Sequence, residues 1–238
     1  RRHTRFTSDW SSDVCSSDLW VGHPLLDETG QESDSTEFRE NCGLRTDLPL
    51  LAIAPGSRPS EMRKHLPTML EALSEIEKKI GEFQCILPVA ESLDFDEVRR
   101  KASSSPVHVA VVPEQFLESV RASDAAVIAS GTASLQTGLA LKPFVIVYRV
   151  SPLTYMIARL LAETKYIGMV NVLADKEIVP ELLQNKFTAG SISDHVVRLL
   201  QDNDYRGTMI NELKKIGHQL GEPGAYRRAA RCIEDLIN

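Results

Sequence analysis

The feature that most constrains the fold of this chain is a regular alternation of short apolar segments with longer amphipathic ones. Apolar composition predicts five strands, at residues 50–54, 84–89, 107–112, 125–129 and 144–148. Apolar residues at helical spacing predict helices between them, at residues 61–80, 94–103, 114–122 and 133–141. Such alternation is typical of right-handed βαβ units, which build a parallel sheet covered on both faces. We therefore predict an α/β fold with a Rossmann-like, doubly wound parallel sheet over residues 50–190.

The pattern changes after residue 151 and becomes mainly helical. Helical segments are predicted at residues 152–164, 179–183, 192–201, 205–220 and 225–237, with a short extended piece at 168–173. We assign residues 191–238 to a set of C-terminal helices. The apolar stretch 155–161 favours a core helix, and the alternative of contact with acyl chains or a membrane surface stays open.

The first nineteen residues differ in character from the rest of the chain. They repeat serine and aspartate without helical or strand period. We interpret residues 1–19 as a non-native extension, with a flexible native tail as the alternative, and leave them out of the fold prediction.

Composition excludes several classes of function. The formal net charge of -6 and the pI near 5.6 argue against a protein that binds nucleic acid. The four cysteines form no CxxC pair, so neither a zinc site nor a disulfide framework is predicted, and a reducing cytoplasm fits best. No apolar run reaches the roughly 20 residues that span a bilayer, which still permits contact with a membrane surface.

Two loops at predicted strand ends have the chemistry of an anion site. Ser130-Gly131-Thr132 follows the strand at 125–129 and starts a helix, where free backbone N–H groups and the helix dipole favour negative charge. Pro55-Gly56-Ser57-Arg58 follows the strand at 50–54 and adds a guanidinium, which can grip phosphate oxygens. Ligands of open parallel sheets bind beyond these carboxyl ends, so a diphosphate site is predicted.

Each of these features also has a simpler interpretation. Ser130 or Thr132 can act only as a helix cap, and Arg58 can pair with Glu61 on the surface. Gln136 lies about one helical turn after Thr132, where it either reaches a ribose or is an ordinary surface residue. Neither GxxxxGK[ST] nor a GxGxxG after the first strand is present, which argues against kinases, P-loop hydrolases and typical NAD enzymes.

The order of these motifs resembles one family, the lipid A disaccharide synthases, which are inverting glycosyltransferases with the two-domain GT-B architecture. The resemblance covers nearly everything after Leu19. It rests on six segments in order: Val21-Gly22-His23-Pro24-Leu25, Pro55-Gly56-Ser57-Arg58, Ala129-Ser130-Gly131-Thr132-Ala133, Val147-Tyr148-Arg149, Asn171-Val172-Leu173-Ala174 and Val179-Pro180-Glu181-Leu182-Leu183-Gln184.

The resemblance implies transfer of diacylglucosamine from UDP-2,3-diacylglucosamine to 2,3-diacylglucosamine 1-phosphate with release of UDP. It implies no metal or cofactor, and a location in the cytoplasm or on the inner face of the inner membrane of a Gram-negative bacterium. Residues 20–49 would be an interdomain linker that includes His23. Residues 50–190 would be the donor-binding domain. The acceptor domain, which supplies the general base, would be missing, so this chain alone is expected to be inactive.

The same resemblance assigns roles to individual positions. Arg58 would stabilise the leaving UDP, while Asn171 and Glu181 would line the cleft near the nucleotide or sugar. Gln136 departs from the family, where many members have glutamate as the ribose ligand. The donor-binding set is thus Gly56, Ser57, Arg58, Ser130, Gly131, Thr132, Ala133, Gln136, Asn171 and Glu181.

Two other functions stay open from the sequence alone. A UDP-sugar epimerase of the same architecture would need carboxylates and a histidine in the cleft, and no such constellation is visible. A non-catalytic nucleotide-binding fragment would expose a surface that a partner domain normally covers. His65 on the first long helix has no visible partner in the sequence, and we interpret it as structural or solvated.

Overall fold

The computed structural model describes residues 20–29, 34–151 and 165–237, and it confirms the predicted α/β fold. One parallel sheet has six strands in the order β3-β2-β1-β4-β5-β6. The strands are β1 (Leu50–Ala54), β2 (Gln84–Val89), β3 (Val109–Pro113), β4 (Ala125–Ala129), β5 (Phe144–Tyr148) and β6 (Glu181–Leu183).

Ten α-helices lie in the described ranges, and one 3-10 turn, Gln184–Lys186, follows β6. In chain order they are α1 (Leu25–Thr29), α2 (Ser35–Asn41), α3 (Pro59–Ile80), α4 (Phe95–Ala102), α5 (Phe116–Ala122), α6 (Thr132–Leu139), α7 (Met169–Ala174), α8 (Ala189–Gln201), α9 (Asn203–Gln219) and α10 (Ala225–Ile237). None of the helices in these ranges has both the length and the apolar character that crossing a bilayer requires.

β1 and β4 lie side by side in the centre of the sheet, and successive strands are added outward from them in opposite directions. Their register pairs Leu51 with Ala125 and Ala54 with Ile128. From β1 the chain moves to β2 on one side, and from β4 it moves to β5 on the other. Right-handed crossovers in opposite directions put α3 and α6 on opposite faces of the sheet. The loops after β1 and β4 therefore diverge from one point, which is where such sheets bind ligands.

The central strands form the hydrophobic core because both of their faces are covered. Every residue of β1, β2 and β4 is buried, in accordance with their continuous apolar sequences. Helix α3 presents Leu66, Met69 and Leu73 to this core. The backbone that carries the cleft is thus attached to the buried centre of the sheet.

Two predictions beyond residue 151 are wrong. Residues 168–173, predicted as extended, belong mainly to helix α7, whose Val170 is buried beside Gly138 of α6. The segment 179–183, predicted as helical, contains β6, which pairs with β5 through Ile146 and Glu181. A six-residue helix and a three-residue strand are too short for periodicity to identify, so tertiary contacts decide their conformation. The predicted helix at 152–164 and the segment 1–19 lie outside the described residues.

Candidate functional site

A cleft of about 660 Å³ opens at the carboxyl ends of β1 to β4. The loops after all four strands contribute to its walls. Eight of the ten residues predicted for the donor site line this cleft: Gly56, Ser57, Arg58, Ser130, Gly131, Thr132, Ala133 and Gln136. The two predicted anion loops therefore face one cavity, and we call them the β1 loop (Pro55–Arg58) and the β4 loop (Ser130–Thr132).

The β4 loop offers backbone donors. Gly131 has φ 152° and ψ -163°, a conformation that favours glycine, and it brings the chain from β4 into α6. In the described part of the chain, no acceptor takes the backbone N–H groups of Thr132 and Ala133 at the start of α6. These groups lie at the positive end of the helix dipole and line the cleft, which suits them to an anion.

The serine of this loop is committed to other contacts. The Ser130 N–H donates to the Val147 carbonyl at 3.0 Å, and its hydroxyl donates to the Ile167 carbonyl at 3.2 Å. Neither Ser130 nor Thr132 caps α6 through its side chain, so the helix-cap interpretation is wrong. The anion-binding capacity of the loop therefore comes from its backbone.

The β1 loop offers a side-chain donor. Gly56 has φ 119°, and a Cβ atom at this position would clash with the Glu61 side chain. The Arg58 guanidinium is 76% exposed and lies 3.1 Å from the Glu61 carboxylate, which is the surface pair considered above. Because the Arg58 side chain is largely solvated, a phosphate can reach it and compete with the Glu61 carboxylate for its N–H donors.

His65 anchors the β1 loop from behind. Its ring is fully buried, with Nδ1 2.7 Å from the Pro55 carbonyl and Nε2 accepting the Arg149 N–H at 3.0 Å. Since the carbonyl can only accept, the geometry assigns the proton to Nδ1. Burial lowers the pKa of His65 below its ordinary value, which keeps the ring neutral. Its role in the fold is structural, one of the two interpretations that the sequence allowed.

Carboxylates on the opposite side of the cleft were missed by the sequence analysis. Glu91 follows β2 and Glu114 follows β3, and the same rule that selected the two anion loops points to these strand ends as well. The remaining lining residues of this type are Glu28, Glu61 and Glu118, and Pro88, Val89, Phe116 and Leu117 add apolar surface. Glutamates therefore follow β2 and β3 at the cleft, and Glu61 stands beside the β1 loop, where it pairs with Arg58. In the ranges that the structure describes, no cluster of three metal-ligating side chains occurs.

Asn171 and Glu181 do not lie where the sequence analysis expected them. Asn171 is fully buried, and its side-chain amide bonds to Ile178, Val179 and Glu181. The Glu181 carboxylate accepts from Ile167 N, Gly168 N and the Asn171 amide. Neither side chain is part of the cleft wall, because each is committed to holding the backbone around α7 and β6.

The strand order and the cleft at its switch point define a Rossmann-like domain, and solved structures of similar fold include GT-B glycosyltransferases. Its fold is similar to that of WaaG, a glycosyltransferase involved in lipopolysaccharide biosynthesis, with a TM-score of 0.60 and 15% identity over 89% of this chain and 54% of WaaG. It is also similar to a putative UDP-N-acetylglucosamine 2-epimerase from Listeria monocytogenes, with a TM-score of 0.55 and 16% identity over 80% and 46% of the two chains.

The family is shown by sequence. The family model described as lipid-A-disaccharide synthetase matches residues 14–234. The match begins within residues 1–19, the segment interpreted above as a non-native extension. The lipid-A-disaccharide synthase of Myxococcus xanthus is 38% identical over 232 residues, which are 98% of this chain and 61% of that protein. The chain belongs to the lipid-A-disaccharide synthase family, and it spans about three fifths of the length of that relative.

Proposed function

We propose that this chain is the donor-binding part of an enzyme that transfers diacylglucosamine from UDP-2,3-diacylglucosamine to 2,3-diacylglucosamine 1-phosphate. The observation that carries the proposal is that two backbone N–H groups, at Thr132 and Ala133, have no acceptor among the described residues and converge with the Arg58 guanidinium in one cleft. That arrangement suits a diphosphate, and family membership supports a UDP-linked sugar as its bearer.

In the proposed reaction, the 6-hydroxyl of the acceptor attacks C1 of the donor sugar while the bond from C1 to the phosphate oxygen breaks. The electron pair of that bond leaves with UDP, so negative charge builds on the diphosphate. Arg58, released from Glu61, and the donors at the start of α6 stabilise this charge, an effect of several kcal/mol in comparable sites. The proton of the hydroxyl goes to a general base, which we propose belongs to the acceptor-binding part of the enzyme.

Gln136 is proposed to bind the ribose. It lines the cleft on α6, one turn after the diphosphate donors. Its amide both donates and accepts, whereas a carboxylate would only accept from the ribose hydroxyls. We therefore expect altered affinity at this position relative to family members with glutamate, with binding retained.

The proposed partners also suggest where the protein works. Both substrates carry acyl chains, and a bilayer is the natural reservoir of such molecules. We propose a cytoplasmic protein that contacts the membrane surface peripherally. The apolar stretch 155–161, the candidate for this contact, lies outside the described residues.

The epimerase alternative finds less support. Carboxylates do line the cleft at Glu91, Glu114 and Glu118, but the described residues that line it include no histidine. The similarity to the epimerase concerns the fold, while the sequence relationship is to a transferase family.

Isothermal titration of the purified chain with UDP tests the donor-binding proposal. We expect measurable binding, weakened by Arg58→Ala. Arg45→Ala is the matched control, since Arg45 is another exposed, ion-paired arginine but precedes β1 at the opposite end of the strands. The proposal is overturned if the wild-type chain shows no UDP binding at millimolar concentration.

A further inference from the structure

A partly buried polar cluster surrounds Glu181 next to the β4 loop, and of its members Asn171 is fully buried. Three donors converge on this one carboxylate: Ile167 N at 3.0 Å, Gly168 N at 2.9 Å and the Asn171 amide at 2.8 Å. A carboxylate that accepts three such bonds is held in a single orientation. In turn, it holds the backbone at residues 167–168 in one position.

Asn171 supports the carboxylate and has no hydrogen-bonding capacity left for a ligand. Its Nδ2 donates to Val179 O and to Glu181, and its Oδ1 accepts from Ile178 N and Val179 N, all at 2.8 to 3.0 Å. Because every donor and acceptor of the amide is used and the residue is fully buried, Asn171 is part of the support.

Gly168 shows how closely the supported backbone approaches the sheet. A Cβ atom at Gly168 would clash with the Ile146 side chain of β5 and would lie 3.1 Å from Glu181 Oε1. Ile146 is also the residue that pairs with Glu181 in the sheet register. The segment therefore packs closely against Ile146 of β5 and is bonded to Glu181 beside it.

A hydrogen bond connects the supported segment to the cleft. The Ile167 carbonyl accepts the Ser130 hydroxyl at 3.2 Å, and Ser130 lines the cleft beside Gly131. We propose that Glu181 is a positioning residue that, through the Ile167–Gly168 backbone and Ser130, fixes the β4 loop for the donor diphosphate. We call the hydrogen bonds by which Glu181 holds residues 167–168 the clamp. The effect of the clamp on the ligand rests on the proposed function, whereas the clamp itself does not.

Two measurements on the 238-residue chain test this proposal, and the first requires no ligand. Glu181→Gln replaces one acceptor oxygen with an NH2 group, which would face N–H donors. We expect faster amide hydrogen exchange at Ile167 and Gly168 in this variant. Unchanged protection there would overturn the clamp. If Glu181→Gln does not fold, Gly168→Ala is the second variant. Its Cβ atom would clash with Ile146 and move the Gly168 backbone away from Glu181.

The second measurement is a double-mutant cycle on UDP affinity. Glu181→Gln and Ser130→Ala should each weaken UDP binding by about fivefold, and the double variant also by about fivefold, because both act through one contact. Independent effects would multiply to about 25-fold, and that result would overturn the link through Ser130.

One control variant and one outcome for the wild type distinguish a failure of the clamp from a failure of the proposed function. Glu212→Gln removes a carboxylate paired with Lys176 and Lys215, away from the cleft, and should change neither UDP affinity nor exchange at Ile167. A wild-type chain that binds no UDP but loses protection in Glu181→Gln would refute the proposed function and leave the clamp standing.

Discussion

The β1 loop and the β4 loop stand at neighbouring strand ends and line the same cleft, but they present different donors. The β4 loop offers backbone N–H groups at Thr132 and Ala133, whose positions are set by α6. The β1 loop offers the Arg58 side chain, which is 76% exposed and paired with Glu61. Backbone donors need no reorganisation to meet an anion, whereas Arg58 must leave its partner and lose rotamer freedom.

This difference suggests a division of roles within the cleft. The β4 loop is suited to binding the ground state, since its donors are in place before a ligand arrives. Arg58 carries a full positive charge, so it responds most strongly as negative charge grows on a leaving diphosphate. Each loop is also held from behind, the first by His65 and the second by the Ile167 carbonyl.

The largest expected effect comes from removing a backbone donor of the β4 loop. Thr132→Pro deletes one N–H at the first helical position, where proline is tolerated, and Gly131 before it, at ψ -163°, lies outside the α region that a following proline disfavours. We expect UDP binding to weaken by about 2 kcal/mol, or about thirtyfold, in titration calorimetry. Thr132→Ala is the matched control, because it removes the hydroxyl but keeps the N–H. Equal affinities of the two variants would show that the backbone group does not bind the ligand.

A smaller effect is expected at Arg58, and it should depend on salt. Arg58→Ala should cost about tenfold in UDP affinity at low ionic strength, since an exposed charge is lost. Raising salt from about 0.05 to about 0.5 M should shrink this deficit because the Debye length falls. The deficit of Thr132→Pro should change less. If both deficits responded equally to salt, the distinction between the two loops would fail.

A substitution at Gln136 distinguishes contacts to the nucleoside part of UDP from contacts to its diphosphate. Gln136→Ala should weaken UDP binding by about threefold, as expected for the loss of a neutral hydrogen bond. Inorganic pyrophosphate, which lacks the ribose, should bind the variant and the wild type alike. An equal loss for both ligands would place Gln136 at the diphosphate instead of the ribose.

The smallest effect concerns the anchor of the β1 loop at acidic pH. Burial lowers the pKa of His65 in the folded chain, so the unfolded chain takes up the proton more readily. The free energy of unfolding should therefore fall as pH drops below about 6.5, until the lowered folded-state pKa is passed.

Urea unfolding at pH 7.5 and pH 5.5, for the wild type and His65→Gln, checks this expectation. The variant should lose less stability over that interval than the wild type. His195, whose pKa is also lowered chiefly by burial, is present in both proteins and cancels in the difference. Identical losses would mean that His65 does not contribute to the acid response.

Local sequence patterns were enough to predict many residues of the site. Gly56, Arg58 and Gly131 were identified because each follows an apolar strand and precedes a helix, a pattern contained within a few residues. The short range of that signal also explains where it failed. Asn171 and Glu181 belong to segments too short for a period, and the contacts of Glu181 depend on the pairing of β6 with β5. No local pattern shows which polar side chain faces a cleft and which faces the interior.

The sequence by itself determined the first five strands, the helices between them and the two loops with anion-binding chemistry, because apolar periodicity and strand-to-helix turns are local properties. Only the tertiary structure decided that β1 and β4 are neighbours, so that the two loops share one cleft. It also decided that glutamates after β2 and β3 line the cleft and that Glu181 lies behind the β4 loop. Strand order and burial arise from contacts between residues distant in the chain, and these depend on how all the elements pack together.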